Sequence, residues 1–543
     1  KLFVYTTIMR LVEQGKIDLN KDIREYLPDG FLRNIKYDEP ITMLNVMSHT
    51  TGFEDYLFEV ILTSPEKLPT LEETLKNSQP LQVYKPGTVV CYSNYSVSLA
   101  AYIAQQLIGQ EYYDYLMKEM FLPLGMNNTS AHQVLADKPE LIDKKATGYK
   151  SAADGFNESE WSYLPIYPSG GVNGTAEDLA RFAIALMPED GEECVLFEKR
   201  ATLDEMLTKS YSETCHIFNP QITGIAHGFI EYEGEYYTIG HGGNTIAFTT
   251  LFNIVPSERF GVIILTNTGN EMEICNGLNE ALLGKRDKSV NVNADIENLP
   301  SSSELEGTYI NARRMHNGFL ELYGFLSLLK IKAIEPNKIQ LSIGGQTATL
   351  IQTSPYLYEK IDYNGQVFKH QPTKVYFEVT DGKVKRISGD FLPLSGMRTE
   401  PWLMTYLVII ILSALYFILA PIFLLIKRIR HKKGAVEVPH KNLILQRLIT
   451  FFTLSGTAVL LNNIILAARM LINNYRSFSK FRLQILLNYP IAITAAALMV
   501  FIFLNQKKAE SSKGQKVFCL MTTAAMIGLL GILINWQFFN FSV

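Results

Sequence analysis

Four long apolar stretches near the carboxyl end constrain this chain more than any other feature of its sequence. A helix rises about 1.5 Å per residue, so each stretch is long enough to cross a hydrocarbon layer of about 30 Å. Of the 543 residues, 47% are hydrophobic and 19% are charged, and the mean hydropathy is +0.06. We therefore predict a membrane region over 402–543 with four transmembrane helices. The stretches are 402–426, 443–466, 483–504 and 517–539.

Lysines and arginines are concentrated in the first and third connections between these stretches. The first connection has six of them between 427 and 441, the third has four between 507 and 516, and the second has three between 476 and 482. Positive residues favour the cytoplasmic side of a membrane. We therefore predict a multi-pass protein of the cell membrane whose residues before 402 are extracytoplasmic, with membrane lipid as one partner.

Charge and cysteine usage exclude several classes of function. The net charge is -4, and no stripe of Lys and Arg alternates with aromatic residues, so we predict no nucleic acid partner. The five cysteines form no Cys-x-x-Cys, and the nine histidines form no His-x-x-x-His. We predict no metal site and no cofactor. Isolated buried thiols are the favoured interpretation, although one bridge such as Cys194 to Cys215 remains open.

The part before the membrane region divides by composition. Residues 1–285 have the pattern of a mixed α/β domain, and 286–304 are a polar linker. Short alternating runs such as 338–343 and 374–379 follow within 305–396, separated by Gly, Asn and Asp turns. This alternation predicts a small antiparallel β domain that is barrel-like.

The segment from Lys85 to Ser96 leads from a turn into a helix. Pro86-Gly87 marks the turn, and apolar residues then recur at helical spacing. Tyr92 and Asn94 therefore lie where a loop enters a helix. A buried tyrosine hydroxyl beside a cation can exchange a proton with a nucleophile, and an asparagine amide can both donate and accept. An ordinary helix start fits the same residues.

A second polar segment follows a predicted strand. Gly240-His241-Gly242-Gly243-Asn244 comes after Tyr236-Tyr237-Thr238-Ile239 and precedes another strand-like run, Phe248 to Phe252. Glycines in a strand allow a ligand to approach the backbone closely. The pattern predicts a histidine and an asparagine at the rim of a sheet, where a substrate could bind.

Together these segments resemble serine hydrolases of the penicillin-binding protein and class C β-lactamase superfamily. That family has an early Ser-x-x-Lys, a middle Tyr-x-Asn and a late Lys/His-x-Gly. Tyr92-Ser93-Asn94 matches the second motif and His241-Gly242-Gly243 matches the third. The amphipathic segment 2–16 is similar to the residues that follow the motif lysine. The resemblance implies that Lys1 is that lysine and that the serine lies three residues upstream, outside the printed sequence, as the missing initiator Met suggests.

The resemblance covers about 285 residues and implies a fold. It predicts a β-lactamase/transpeptidase-like α/β domain, with an antiparallel sheet flanked by helices and an α-rich lobe. Two other Ser-x-x-Lys segments begin at Ser64 and Ser477, but a proline interrupts the first and the second lies between membrane spans. No Gly-x-Ser-x-Gly elbow is present either. The polypeptide as printed, without the upstream serine, is expected to be inactive.

Three other segments are predicted to be structural. His49 and Thr50, in a turn that resembles the family's His-Thr-Ser-Gly, should cap backbone groups beside the active-site helices. Ser169 is expected to be a turn residue rather than a nucleophile. Thr175 and Asp178 have the spacing of a capping box at the start of a helix.

The resemblance also implies a role for each candidate residue. Lys1 and Tyr92 would act as a coupled pair that accepts the serine proton, and the sequence leaves open which of them holds it. His241 would complete the hydrogen-bond network and, if protonated, attract a substrate carboxylate. Asn94, Gly242, Gly243 and Asn244 would bind the substrate, with the backbone N–H of Asn244 in the oxyanion hole. Gly242 replaces a threonine that many carboxypeptidases and β-lactamases use to hold a carboxylate.

These features predict a membrane-anchored extracytoplasmic serine hydrolase that acts through an acyl-enzyme. Its substrate would be a peptide, an ester or a β-lactam-like small molecule. The alternative is a non-catalytic receptor that keeps the fold, binds cell-wall ligands and signals through its helices. Covalent labelling followed by turnover separates the two.

Overall fold

The computed structural model describes residues 1–55, 61–209, 219, 221–284, 299–388, 390–433, 440–472, 478–506 and 512–541. The chain divides into two compact units. The first contains residues 1–314 and 327–393, and the second contains 315–326 and 394–543. Parts of the predicted linker 286–304, and Ser477, lie outside the described residues.

The helices of the first unit form the α-rich part of an α/β domain. Helix α1 buries nine of its twelve residues because its apolar residues recur around most of its surface. Its Phe3 ring packs against Phe121 at 5.1 Å and Phe182 at 4.7 Å between centroids. The helices are α1 (Leu2–Glu13), α2 (Met43–Met47), α3 (Leu71–Asn77), α4 (Asn94–Ile108), α5 (Tyr112–Leu116), α6 (Ala176–Ala185), α7 (Arg200–Leu207) and α8 (Met272–Leu283).

The bounds of α4 follow from local chemistry. The Ser93 side chain accepts a hydrogen bond from the Ser96 N–H and so caps the start of the helix. Gly109 ends it with a φ of 77°, a conformation that glycine adopts without steric cost. The predicted loop-to-helix junction at Tyr92 and Asn94 is confirmed.

An antiparallel sheet packs beside these helices. Its five strands lie in the order β3-β4-β5-β6-β7, which confirms the predicted antiparallel sheet, and α8 follows β7 in the chain. A separate two-stranded hairpin is formed by β1 and β2. The strands are β1 (Gly148–Ala152), β2 (Gly155–Ser159), β3 (Ile225–Ala226), β4 (Phe229–Tyr232), β5 (Thr238–Asn244), β6 (Thr249–Val255) and β7 (Phe260–Thr266).

The predicted small β domain is a closed antiparallel barrel of eight strands. Leu329 and Ile331 are buried while Lys330 and Lys332 are exposed, as alternation in a strand requires. Inside, the Tyr358 and Phe377 rings pack edge to face at 5.5 Å. The strands are β8 (Gly307–Asn311), β9 (Leu329–Glu335), β10 (Lys338–Ile343), β11 (Gln346–Ser354), β12 (Leu357–Tyr363), β13 (Lys374–Thr380), β14 (Lys383–Ile387) and β15 (Phe391–Pro393).

The second unit is helical, and four of the helices in its described residues are long and apolar enough to cross a membrane. The fourth ends at Asn535, before the predicted boundary at Phe539, because Gln537 adopts a positive φ of 56°. The helices are α9 (Glu321–Gly324), α10 (Glu400–Lys433), α11 (His440–Ile472), α12 (Ser479–Gln506) and α13 (Lys513–Asn535).

Two local predictions need correction. Thr175 caps α6, but the reciprocal half of the capping box is wrong, because the buried Asp178 carboxylate instead accepts from the Asn128 N–H and the Thr129 hydroxyl. Cys194 carries a free thiol, so the bridge to Cys215 that the sequence left open is not formed. Cys215 itself lies outside the described residues.

Candidate active site

Lys1 lies at the start of α1, with its amine directed into the protein. The Nζ atom donates a hydrogen bond to the backbone carbonyl of Ser169. Burial, assisted by the nearby Arg313 charge, lowers the pKa of the Lys1 side chain to about 7. The amine can therefore be neutral near physiological pH, which is the state that a general base requires.

Tyr92 and His241 meet across the domain, with the Tyr92 hydroxyl 3.2 Å from Nε2 of the imidazole. Nδ1 of His241 contacts the Gly242 carbonyl oxygen, which can only accept, so Nδ1 carries the proton. Burial holds the pKa of His241 well below its ordinary value. The imidazole is therefore neutral, and the Tyr92 hydroxyl donates to its bare Nε2.

Burial raises the pKa of the Tyr92 hydroxyl, so it stays protonated. The Lys1 Nζ lies 5.4 Å from the centre of the Tyr92 ring. Lys1, Tyr92 and His241 thus come from a helix start, a loop and a strand, and the structure brings all three together.

Strand β5 is an inner strand of the sheet, not an edge strand, but its second half has a free side. It pairs with β4 only through Thr238, Ile239 and Gly240, whereas its pairing with β6 continues to Asn244. The Thr245 N–H bonds to the Phe248 carbonyl. Because hydrogen-bonded pairs alternate along an antiparallel ladder, the N–H groups of Gly242 and Asn244 point away from β6. Beyond Gly240 the backbone of β4 leaves that side uncovered, and the Tyr232 hydroxyl lies beside Gly242.

The remaining predicted residues lie on β5 and at the start of α4. Asn94 is half-buried at the first position of α4. Gly243 is exposed on β5, and a Cβ at Gly242 would meet nothing closer than 3.6 Å. The Asn244 side chain is engaged, since Nδ2 donates to Asn270 and Oδ1 accepts from the Asn270 N–H. The Asn244 side-chain amide is therefore occupied, whereas its backbone N–H points away from β6.

Comparison with known proteins identifies the family. The sequence profile of the beta-lactamase family matches residues 1–282, which is more than half of the chain. The chain belongs to the beta-lactamase family. The match covers Lys1, Tyr92 and His241, so all three candidate catalytic residues lie in the beta-lactamase domain.

Individual relatives are distant. Protein flp of Staphylococcus aureus (strain N315) is 24% identical over 275 residues, which make up 50% of this chain and 52% of flp. PbpX of Bacillus subtilis (strain 168) is 23% identical over 278 residues, covering 50% of this chain and 62% of PbpX. The chain thus spans about half the length of flp. A penicillin-binding protein homologue from Pyrococcus abyssi is 20% identical with a TM-score of 0.43, covering 72% of this chain and 85% of that one.

Two residues that were predicted to be structural also touch the site of the beta-lactamase domain. Nδ1 of His49 accepts a hydrogen bond from the Ser93 N–H at 3.3 Å, which confirms its capping role. Its ring also packs on Tyr92 at 4.2 Å between centroids. Ser169 is a turn residue as predicted, and its carbonyl holds the Lys1 amine. Thr50 bonds to the side chains of Asn45 and Ser48.

The sequence did not predict that Asp55 and Arg313 lie in the candidate site. Arg313 follows the first strand of the barrel, and its Nε donates to Oδ2 of Asp55 at 3.0 Å. The guanidinium carbon lies 4.7 Å from the centre of the Tyr92 ring. No local pattern marks this contact, because 258 positions separate the two charged residues. A charged residue just after a strand is ordinary in sequence.

Proposed function

We propose that this protein is a membrane-anchored, extracytoplasmic serine hydrolase that cleaves an amide or an ester through an acyl-enzyme. The observation that carries the proposal is the meeting of the Lys1 amine, the Tyr92 hydroxyl and the His241 imidazole beside the uncovered side of β5. The nucleophile would be a serine three residues before Lys1. One turn of helix would place it on the same face as Lys1.

In this mechanism Lys1 and Tyr92 would carry the proton from the serine to the leaving group. The serine oxygen would attack the substrate carbonyl carbon while its proton passes to the neutral Lys1 amine. The C–N or C–O bond then breaks, and the leaving group takes a proton from Tyr92, which is replenished from Lys1. Water next attacks the acyl-enzyme, gives one proton back through the same groups to the serine oxygen, and releases the acid.

The free side of β5 would supply the electrostatic part of catalysis. The Asn244 N–H points to the side that the substrate would occupy and would share the oxyanion with the N–H of the serine. One such donor lowers a barrier by roughly 3 to 4 kcal/mol. Asn94 would orient the acyl-side amide of the substrate, and Gly242 and Gly243 would allow it to lie close to the strand.

The membrane orientation belongs to the same proposal. The Lys and Arg residues of the first and third connections would lie in the cytoplasm, and the beta-lactamase domain would then lie outside. A membrane-impermeant maleimide applied to intact cells should label an engineered cysteine at the exposed Phe156, whose exposed fraction is 65%. Labelling only after lysis would show that this domain faces the cytoplasm.

The catalytic proposal is tested on the full-length protein with a fluorophosphonate probe and a fluorescent penicillin. We expect one labelled serine, three residues before Lys1, and turnover of a chromogenic ester. Tyr92→Phe should slow acylation by about 10²- to 10⁴-fold, the usual contribution of a positioned proton donor. Tyr236→Phe, at a tyrosine that is 41% exposed, is the matched control and should change nothing. Absence of label and turnover would favour a non-catalytic receptor instead.

A further inference from the structure

The barrel contributes backbone as well as side chain to the wall of the candidate site. The three residues after β8 lie along the beta-lactamase domain. The Tyr84 hydroxyl donates to the Ala312 carbonyl at 3.1 Å, and the Asp55 N–H donates to the Arg314 carbonyl at 3.3 Å. Ala312 in turn donates its N–H to the Asp390 carbonyl, which ties the segment to the barrel. Arg313 is therefore held between the barrel and the beta-lactamase domain, because its neighbours Ala312 and Arg314 both bond to the beta-lactamase domain.

The Arg313 side chain is fixed at one end and open at the other. Asp55 accepts from Nε, and the guanidinium carbon lies 4.7 Å from the centre of the Tyr92 ring, within cation–π distance. Among the described residues, Asp55 is the one side chain that Arg313 bonds, so both terminal nitrogens keep their donors. The side chain is 40% exposed, whereas the side chain of Asp55 is 10% exposed. The Arg313 side chain is thus the more accessible partner of this pair.

Arg313 is also the permanent cation of this cluster. Burial lowers the pKa of His49 to about 3 and keeps His241 neutral, so neither imidazole carries a charge at neutral pH. Lys1 must be neutral when it acts as a base. A guanidinium keeps its charge throughout and can bind a carboxylate through two parallel hydrogen bonds. The sequence predicted that a protonated His241 attracts a substrate carboxylate. Arg313 is a better candidate for that role, because it keeps its positive charge.

We propose that Arg313, delivered by the barrel, binds a carboxylate on the leaving-group side of the substrate and so makes this hydrolase selective for anionic leaving groups. The inference rests on the proposed function. Tyr92 is the group that would protonate the leaving group, and the guanidinium lies against its ring. Gly242 lacks a hydroxyl that could hold such a carboxylate from β5. Arg313, which follows the first strand of the barrel, would hold the carboxylate instead.

The test compares two esters that differ in one charge. The full-length protein in detergent hydrolyses N-phenylacetylglycine esters of 3-hydroxybenzoate and of methyl 3-hydroxybenzoate, and release of the phenol gives kcat/KM for each. The wild type should prefer the anionic ester. Arg313→Gln should lower kcat/KM for the anionic ester by about 10-fold or more, the worth of one charge-assisted hydrogen bond, and by less than about 3-fold for the neutral ester.

Two control variants separate loss of carboxylate binding from a general structural effect of the Arg313 substitution. Arg313→Lys keeps the charge and should restore part of the preference. Lys332→Gln removes an exposed positive charge from the same barrel and should leave both rates unchanged. Equal losses for the two esters with Arg313→Gln, or a wild type without preference, would overturn the inference while leaving the hydrolase intact. A wild type that cleaves neither ester and takes no serine label would overturn both proposals.

Discussion

The Tyr92 hydroxyl lies 3.2 Å from Nε2 of His241, although 149 positions separate the two residues. This bond joins the helical half of the beta-lactamase domain to its sheet. Because Nδ1 of His241 is committed to the Gly242 carbonyl, the bond has one direction, from Tyr92 to the imidazole. The proton that would serve the leaving group is thus held in place before a substrate arrives.

The pH dependence of acylation should follow Lys1. Its pKa is lowered to about 7, and only the neutral amine can accept a proton. We therefore expect kcat/KM to rise as the pH rises through about 7 and to level off above it. Arg313→Gln removes a neighbouring charge that lowers this pKa, so the midpoint should move to higher pH. A flat profile between pH 6 and 8 would rule out Lys1 as the base.

Two glycines of β5 should respond differently to the same substitution. A Cβ at Gly240 would collide with the Phe252 carbonyl oxygen, whereas a Cβ at Gly242 would find its nearest neighbour, the Tyr232 hydroxyl, at 3.6 Å. We expect Gly240→Ala to destabilise the domain by about 1 to 3 kcal/mol. Gly242→Ala should change the free energy of unfolding by less than about 0.5 kcal/mol. Thermal denaturation followed by circular dichroism compares them, and similar shifts would contradict the structure.

The docking of the barrel should depend on Arg386 more than on Lys369. Arg386 is 14% exposed, pairs with Glu378 and donates to the Thr88 carbonyl, in the segment that leads to Tyr92. Arg386→Ala should cost about 1.5 to 3 kcal/mol and lower the rate of ester hydrolysis.

Lys369 is the matched control for Arg386. It pairs with Glu273 from a more exposed position, with 36% of its side chain accessible. Salt and side-chain entropy weaken such a pair, so Lys369→Ala should leave the rate and the denaturation temperature nearly unchanged. Equal effects of the two variants would show that Arg386 does not hold the barrel in place.

The helical second unit contains a buried amide cluster that should stabilise it. Asn488 accepts from the side chains of Asn462 and Asn463 and donates to Asn463 and to the Phe538 carbonyl. Asn488→Leu leaves these partners unsatisfied and should cost about 1 to 2 kcal/mol. Loss of helical circular dichroism on heating in detergent measures it. Leu487→Ala, at a position 45% exposed on the same helix, is the comparison and should have the smaller effect.

The features that were predictable from sequence are those set by nearby residues. The strands Lys338–Ile343 and Lys374–Thr380 follow from alternation, and the four apolar helices follow from length and composition. The start of α4 at Asn94 follows from the turn before it and the cap at Ser93. The capping box at Asp178 failed because a buried carboxylate bonded to another segment of the chain, which local spacing does not report.

The sequence by itself indicated the family, through two short motifs in the right order after Lys1, and it supplied Lys1, Tyr92 and His241 as candidate site residues. Only the tertiary structure decided their charge states. The Lys1 amine has its pKa lowered, and His241 stays neutral, because both are buried beside groups distant in sequence. It also decided that the permanent positive charge comes from Arg313, on the other side of a domain boundary. Burial and contacts between residues distant in sequence set these pKa values, and neither can be predicted from the residues next to them in the sequence.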